Sequence, residues 1–177
     1  MASRDLKDLV PKVKDQAART EKICKEAGID LLIYCTLRPL EEQAKLYRQS
    51  RARKTIKDKV DSLRARGFGF LAEILERVGP QSGPHVTNAA PGESFHNYGL
   101  AFDAVPMLGG KCCWKYTDYR PLWEGYGEAV RQVGLEWAGD WTTFKEYPHT
   151  QFGAGGNPLR LNSPDEVRKL LEDNKLL

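Results

Sequence analysis

Short apolar runs are interspersed with amphipathic helical patterns, no βαβ rhythm develops, and no G-x-G-x-x-G fingerprint occurs. Together these predict an α+β protein: a small, mostly antiparallel sheet flanked by helices. The 177 residues suit one domain spanning 1–177 with a core of its own, and 41% hydrophobic against 29% charged residues is a globular rather than a disordered balance. No apolar run reaches the roughly 18 residues of a membrane span. The stretch MASRDLKDLVPKVKDQAARTEK is charged throughout and lacks the apolar core of a secretory signal, so the chain is expected to be made in the cytoplasm and to stay there until released.

Taken in order, residues 5–27 carry Leu6, Leu9, Val13, Ala17 and Ile23 at helical spacing, and Gly28 stops the helix. IDLLIYCTLR, residues 29–38, is compact, apolar and rich in β-branched and aromatic residues, hence a buried strand. Pro39 opens a second helix, PLEEQAKLYRQSR, with its acids ahead of its bases in the order that suits the helix dipole. Two apolar stripes, Ile56/Val60/Leu63 and Leu71/Ile74/Leu75/Val78, predict one or two further helices broken at RGFGF. GPQSGPHVTNAAPGES is turn-rich and reads as a loop leading to a short strand. GLAFDAVP reads as a strand, YRPLWEGYGEAVRQVG as a helix ended by Gly134, and LEWAGDW and PHTQF as strands with a loop between. Residues 162–165 carry a helix start, and DEVRKLLEDNKLL is the closing helix.

Charge is unevenly spread. Eight bases against two acids between positions 48 and 66 give +6 locally, and the overall +3 leaves −3 for the rest of the chain. Such a run is more often a solvated helix face than a polyanion site. Of the four cysteines, Cys112 and Cys113 are adjacent, Cys24 and Cys35 are isolated, and no C-x-x-C occurs, so reduced thiols are expected rather than a zinc-finger framework.

The chemistry concentrates on the histidines, of which there are three. SFHNYGLAFD places His96 and Asp103 seven residues apart. To share one metal, their donor atoms must each approach it to about 2.0–2.2 Å. A straight helix would hold the two residues about 10 Å apart, and a straight strand about 23 Å apart on opposite faces. A shared metal therefore requires the chain to fold back, and Gly99 tolerates the backbone angles for it. His149, in KEYPHTQF, is a candidate third ligand whose approach is set by Pro148, and two histidines with one carboxylate leave a fourth zinc position open for water. Glu146, three residues before His149, is placed to move the proton of an attacking water, although E-x-x-H alone is weak. A solitary histidine is more often a hydrogen-bonded polar residue than a ligand, and His85, in its Gly/Pro loop, is read that way.

These segments resemble a known family. SFHNYGLAFD fits the S-x-H-x-x-G-x-A-x-D signature of the zinc D-alanyl-D-alanine and L-alanyl-D-glutamate peptidase superfamily and looks most like its phage endolysin branch. TLRPLEEQAKLY, VTNAAPGESFHNYGLAFD and EWAGDWTTFKEYPHTQF occur in the family's order. The resemblance implies the zinc D,D-peptidase (hedgehog-like) fold, one zinc ion on His96, Asp103 and His149, and Glu146 as general base where the family has Asp or Glu. Arg38 matches the arginine that stabilises the oxyanion or holds a substrate carboxylate, a task suited to a permanently charged guanidinium. Ser94 and Gln43 match positions that shape the site, and Asp140, Trp141 and Tyr147 are expected to line the cleft. The departure is a basic helical elaboration at about 51–83, where relatives have a shorter loop.

The implied substrate is the peptidoglycan stem peptide, cut at the L-alanyl-D-glutamate bond or, alternatively, at terminal D-alanyl-D-alanine; the HNYGLAFD and EWAGDW forms favour the former. No separate wall-binding domain is expected, no nucleic-acid partner, and a monomer. The implied setting is a lysin that reaches the wall after a holin permeabilises the membrane. A non-catalytic zinc module is the rival class, but it needs neither Arg38 nor Glu146. A nucleic-acid binder would rest on the basic stretch alone, without a recognition motif.

Overall fold

The computed structural model describes residues 1–153 and 156–177. In chain order these form helix α1 (Pro11–Glu26), strand β1 (Asp30–Cys35), helices α2 (Leu40–Arg48), α3 (Arg53–Ala65) and α4 (Gly69–Arg77), and strands β2 (Ala101–Leu108) and β3 (Lys111–Cys112). Helix α5 (Arg120–Gln132), strands β4 (Glu136–Trp137) and β5 (His149–Gln151), and helices α6 (Pro158–Leu161) and α7 (Pro164–Asp173) complete it. Every strand pairing is antiparallel, so the class is α+β, as the sequence predicts. Two compact units result: a sheet unit, made of 2–37 and the described residues of 99–155, and a helical unit, made of 38–98 and 156–177 with Met1.

In the sheet unit the strand order is β1-β2-β5-β4, with β3 on β2. Val13, Ala17 and Cys24 of α1 and Trp123, Tyr126 and Val130 of α5 bury against Ile33, Phe102 and Val105 of the sheet. The predicted first helix is split. A 3₁₀ turn at Leu6–Asp8 precedes α1, which opens on Pro11 because a residue without an N–H begins a helix more readily than it continues one. The first strand ends at Cys35 rather than Arg38; beyond it Thr36 N–H donates to Ser3 and Ser3 N–H donates to Leu37, so the N-terminal segment takes over the pairing. Of LEWAGDW only Glu136–Trp137 is strand, and Ala138–Asp140 is a 3₁₀ turn. Strand β3 escapes the sequence reading, although Gly109-Gly110, both at positive φ, is a two-residue hairpin turn of the sort that joins such strands.

In the helical unit, Ile56, Val60 and Leu63 of α3 and Leu71, Ile74 and Leu75 of α4 are buried, with the break at 66–68 where RGFGF predicts it. Helix α7 opens on a capping box between Ser163 and Glu166. The 79–94 loop leads first into a 3₁₀ turn at Phe95–Tyr98, and the strand expected after it follows as β2. Within the loop, backbone donors are bound locally by side chains: Ala89 N–H by Thr87, Ala90 N–H by Glu93 and Gly92 N–H by Asn97.

The basic stretch is largely engaged within this unit. Lys54 pairs with Asp58, Lys57 with Asp61, Arg64 with Glu76 and Lys59 with Glu93. Arg48, Arg51 and Arg66 donate to backbone carbonyls of Leu75, Thr87 and Leu159. No helix among the described residues is long and apolar enough to cross a membrane.

Candidate metal centre

In the sheet unit, Asp103 on β2 and His149 on β5 stand directly opposite each other in register. Cross-strand partners project to the same face. Both are 8% exposed, and His149 Nδ1 lies 3.1 Å from Asp103 Oδ1. Two donors on one tetrahedral zinc sit about 3.3 Å apart, given metal–donor bonds of about 2.0–2.2 Å, so the pair fits a shared ion. Burial disfavours the charged imidazole, but the Asp103 carboxylate at Nδ1, with Glu146 and Gln151 behind it, outweighs that, and the His149 pKa lies above the ordinary histidine value. A proton shared by nitrogen and carboxylate satisfies this pair, and the same two donors are placed to take a metal ion instead.

The backbone around His149 is pinned on both sides. Trp137 Nε1 donates to the Tyr147 carbonyl at 2.7 Å, and the Tyr126 hydroxyl, rising from α5, lies 3.3 Å from the Pro148 carbonyl and 2.6 Å from Thr150 Oγ1. His149 Nε2 faces Gln151 Oε1 at 3.1 Å; Gln151 Nε2 donates to Glu136 at 3.0 Å, and Trp141 Nε1 donates to the other Glu136 oxygen at 2.6 Å. Glu136 and Gln151 are site residues the sequence reading missed; the signal was the two-residue spacing of His149 and Gln151 on one strand, which sets them on one face. Cys35 was missed as well. A register shift between Ile33 and Cys35 sets Cys35, not Tyr34, opposite Asp103, and brings its sulfur within 4.8 Å of the Asp103 carboxylate.

Glu146 is half-buried, and its carbonyl accepts from His149 N–H at 3.0 Å. Of the expected cleft residues, Trp141 is half-buried with its ring 5.7 Å from that of His149. The Tyr147 ring stacks flat on Tyr116, with centroids 3.9 Å apart. Asp140 is exposed and takes Arg131 at 2.8 Å.

In the helical unit, His96 is 1% exposed within the 3₁₀ turn, and its carbonyl accepts from Arg38 N–H at 3.0 Å. Asn97, fully buried, donates to the Arg38 carbonyl at 2.8 Å. Arg38 Nη1 donates to Gln43 Oε1 at 2.9 Å, while Gln43 Nε2 is anchored on the Ala89 carbonyl at 2.8 Å. Gln43 is therefore one anchor of the guanidinium. Ser94 is buried, and its carbonyl caps Asn97 N–H. His85 is exposed and meets Asn88 and Ser50, in keeping with its reading as an ordinary polar residue.

Gly99 lies at φ +64°, in the left-handed region that glycine tolerates. A Cβ there would also sit 2.6 Å from the Asp8 carbonyl oxygen, so glycine is required twice over.

A buried carboxylate and imidazole paired across a small antiparallel sheet are apt donors for a metal ion, and comparison with known proteins makes the class specific: a zinc metallopeptidase. Two models described as D-alanyl-D-alanine carboxypeptidase match, one over residues 7–112 and one over 87–152. The peptidoglycan L-alanyl-D-glutamate endopeptidase CwlK of Bacillus subtilis is 32% identical over 150 residues, covering 81% of this chain and 73% of that protein. The chain belongs to the D-alanyl-D-alanine carboxypeptidase family of zinc peptidases. Among solved structures, the Serratia marcescens L-Ala D-Glu endopeptidase ChiX aligns with a TM-score of 0.44 at 20% identity, over 86% of this chain and 89% of that one. A vancomycin-resistance D,D-pentapeptidase VanY variant in complex with Zn(II) aligns with 0.45 at 17%, over 90% and 83%.

Proposed function

We propose that this protein hydrolyses the L-alanyl-D-glutamate bond of peptidoglycan stem peptides, as a monomeric endolysin that reaches the wall after membrane permeabilisation, and that His96, Asp103 and His149 hold its one zinc ion. The observation that carries the metal assignment is the buried 3.1 Å pairing of Asp103 with His149 Nδ1. The choice of bond is supported by the 32% identity to an L-alanyl-D-glutamate endopeptidase.

Zinc held there would supply Lewis acidity to a carbonyl and lower the pKa of water. The chain's own residues do the rest. Glu146 takes the proton of the attacking water and passes it to the departing amine. Arg38, anchored by Gln43, meets the developing oxyanion or a stem carboxylate with fixed donors.

Mass spectrometry of the muropeptides released from purified peptidoglycan tests the reading. New N-terminal D-glutamate is expected, and its formation should stop with chelator. Free D-alanine would instead assign the terminal D-alanyl-D-alanine cut, which the description of both matching family models favours. No release of either kind would leave a non-catalytic zinc module.

A further inference from the structure

We propose that Gln151 is a positioning residue whose amide, oriented by Glu136, fixes the ring of His149 so that Nδ1 is the metal-binding nitrogen. The inference rests on the zinc reading above and adds to it a means of selecting one nitrogen.

A carboxylate can only accept hydrogen bonds. Glu136 receives the Trp141 indole N–H on one oxygen at 2.6 Å and the Gln151 amide N–H on the other at 3.0 Å. The Gln151 amide can therefore not turn over without setting its carbonyl oxygen against that carboxylate. Its Oε1 is left facing His149 Nε2 at 3.1 Å, so Nε2 must carry a hydrogen. The only lone pair the imidazole can then offer is at Nδ1, which is the nitrogen turned to Asp103. Gln151 is 4% exposed, so water competes poorly for either contact. The order of command runs from Glu136, braced by Trp141, through Gln151 to His149: the carboxylate decides which neutral tautomer the ring holds. Outer partners of this kind typically contribute about 10–100-fold to metal affinity.

The test is zinc affinity by chelator competition, together with solvent exchange of the His149 Nε2–H in ¹⁵N-histidine-labelled, zinc-loaded protein. Gln151→Leu should weaken zinc about 10–100-fold and speed Nε2–H exchange. The exchange of positions in Glu136→Gln/Gln151→Glu rebuilds the chain: the amide now at position 136 donates to the carboxylate now at position 151, and that carboxylate accepts from Nε2–H. It should restore most of the affinity and the protection, which a fold merely damaged at Gln151 would not allow. Parental affinity and exchange in Gln151→Leu, or a double variant no better than the single one, would overturn the proposal. If His149→Ala loses zinc while Gln151→Leu does not, only the relay fails; if His149→Ala keeps zinc, the zinc site fails with it.

Discussion

The proposed machinery is held in two different ways. Asp103 and His149 sit on neighbouring strands, where ladder register, the Tyr126 hydroxyl and the Trp137 indole fix the backbone before any side chain chooses a rotamer. Arg38 and His96 sit in irregular chain, where buried amide side chains do that work: Asn97 on the Arg38 carbonyl and Gln43 on the guanidinium. A strand offers repeated, redundant hydrogen bonds; a loop offers single ones. Substitutions in the first region should therefore read out directly as lost ligands, whereas the second can be loosened by changing residues that touch no substrate.

The largest effect is expected from the sheet-borne pair. Asp103→Ala or His149→Ala should abolish stoichiometric zinc, measured by elemental analysis, and turnover with it, while the circular dichroism spectrum stays native. Retained zinc in either variant would break the comparison at its root.

Next come two variants that spare the metal. Glu146→Gln should keep zinc and lower turnover by about 10²–10⁴, the usual contribution of a positioned base. Arg38→Ala should keep zinc and lower turnover by about 10²–10³, the scale of a lost oxyanion donor. Unchanged turnover in either would reduce that residue to a structural role.

The contrast between the two regions also governs what the sequence could disclose. The α+β class, the apolar stripes of α3 and α4, and the turn at Gly99 follow from periodicity and backbone sterics, which are local. Asp103 was legible as a candidate because a spacing argument and a family signature converge on it, and His149 because it follows Pro148 in a segment that resembles the same family. Gln151, Glu136 and Cys35 were not, since their relevance comes from cross-strand register, and one register shift between Ile33 and Cys35 decides which side chain faces Asp103.

A sharper test of the loop region is Gln43→Ala. Gln43 touches Arg38 and the Ala89 carbonyl and is fully buried, so its loss should cost about 1–3 kcal/mol of stability and loosen the guanidinium. Turnover should fall by less than in Arg38→Ala, and the double variant should be no slower than Arg38→Ala alone. Additive losses would mean that the two residues act separately.

The smallest effect is confined to acid. Glu93 is buried, which works against its charge, but the Ala90 N–H, the Lys59 ammonium at 3.0 and 3.1 Å and the Asn157 side chain outweigh burial and hold its pKa below the ordinary 4.5. A depressed carboxylate pKa stabilises the fold above its unfolded value, and that contribution drains away as pH falls through the folded value. Below about pH 4.5 the melting temperature should therefore fall less steeply for Glu93→Gln than for the parent, because glutamine has no proton to gain. Since Lys59 belongs to α3, identical slopes in the two proteins would mean that this ion pair does not tie the basic helix to the Ala90–Glu93 turn, and the elaboration would have to be held by its apolar stripe and its arginine contacts.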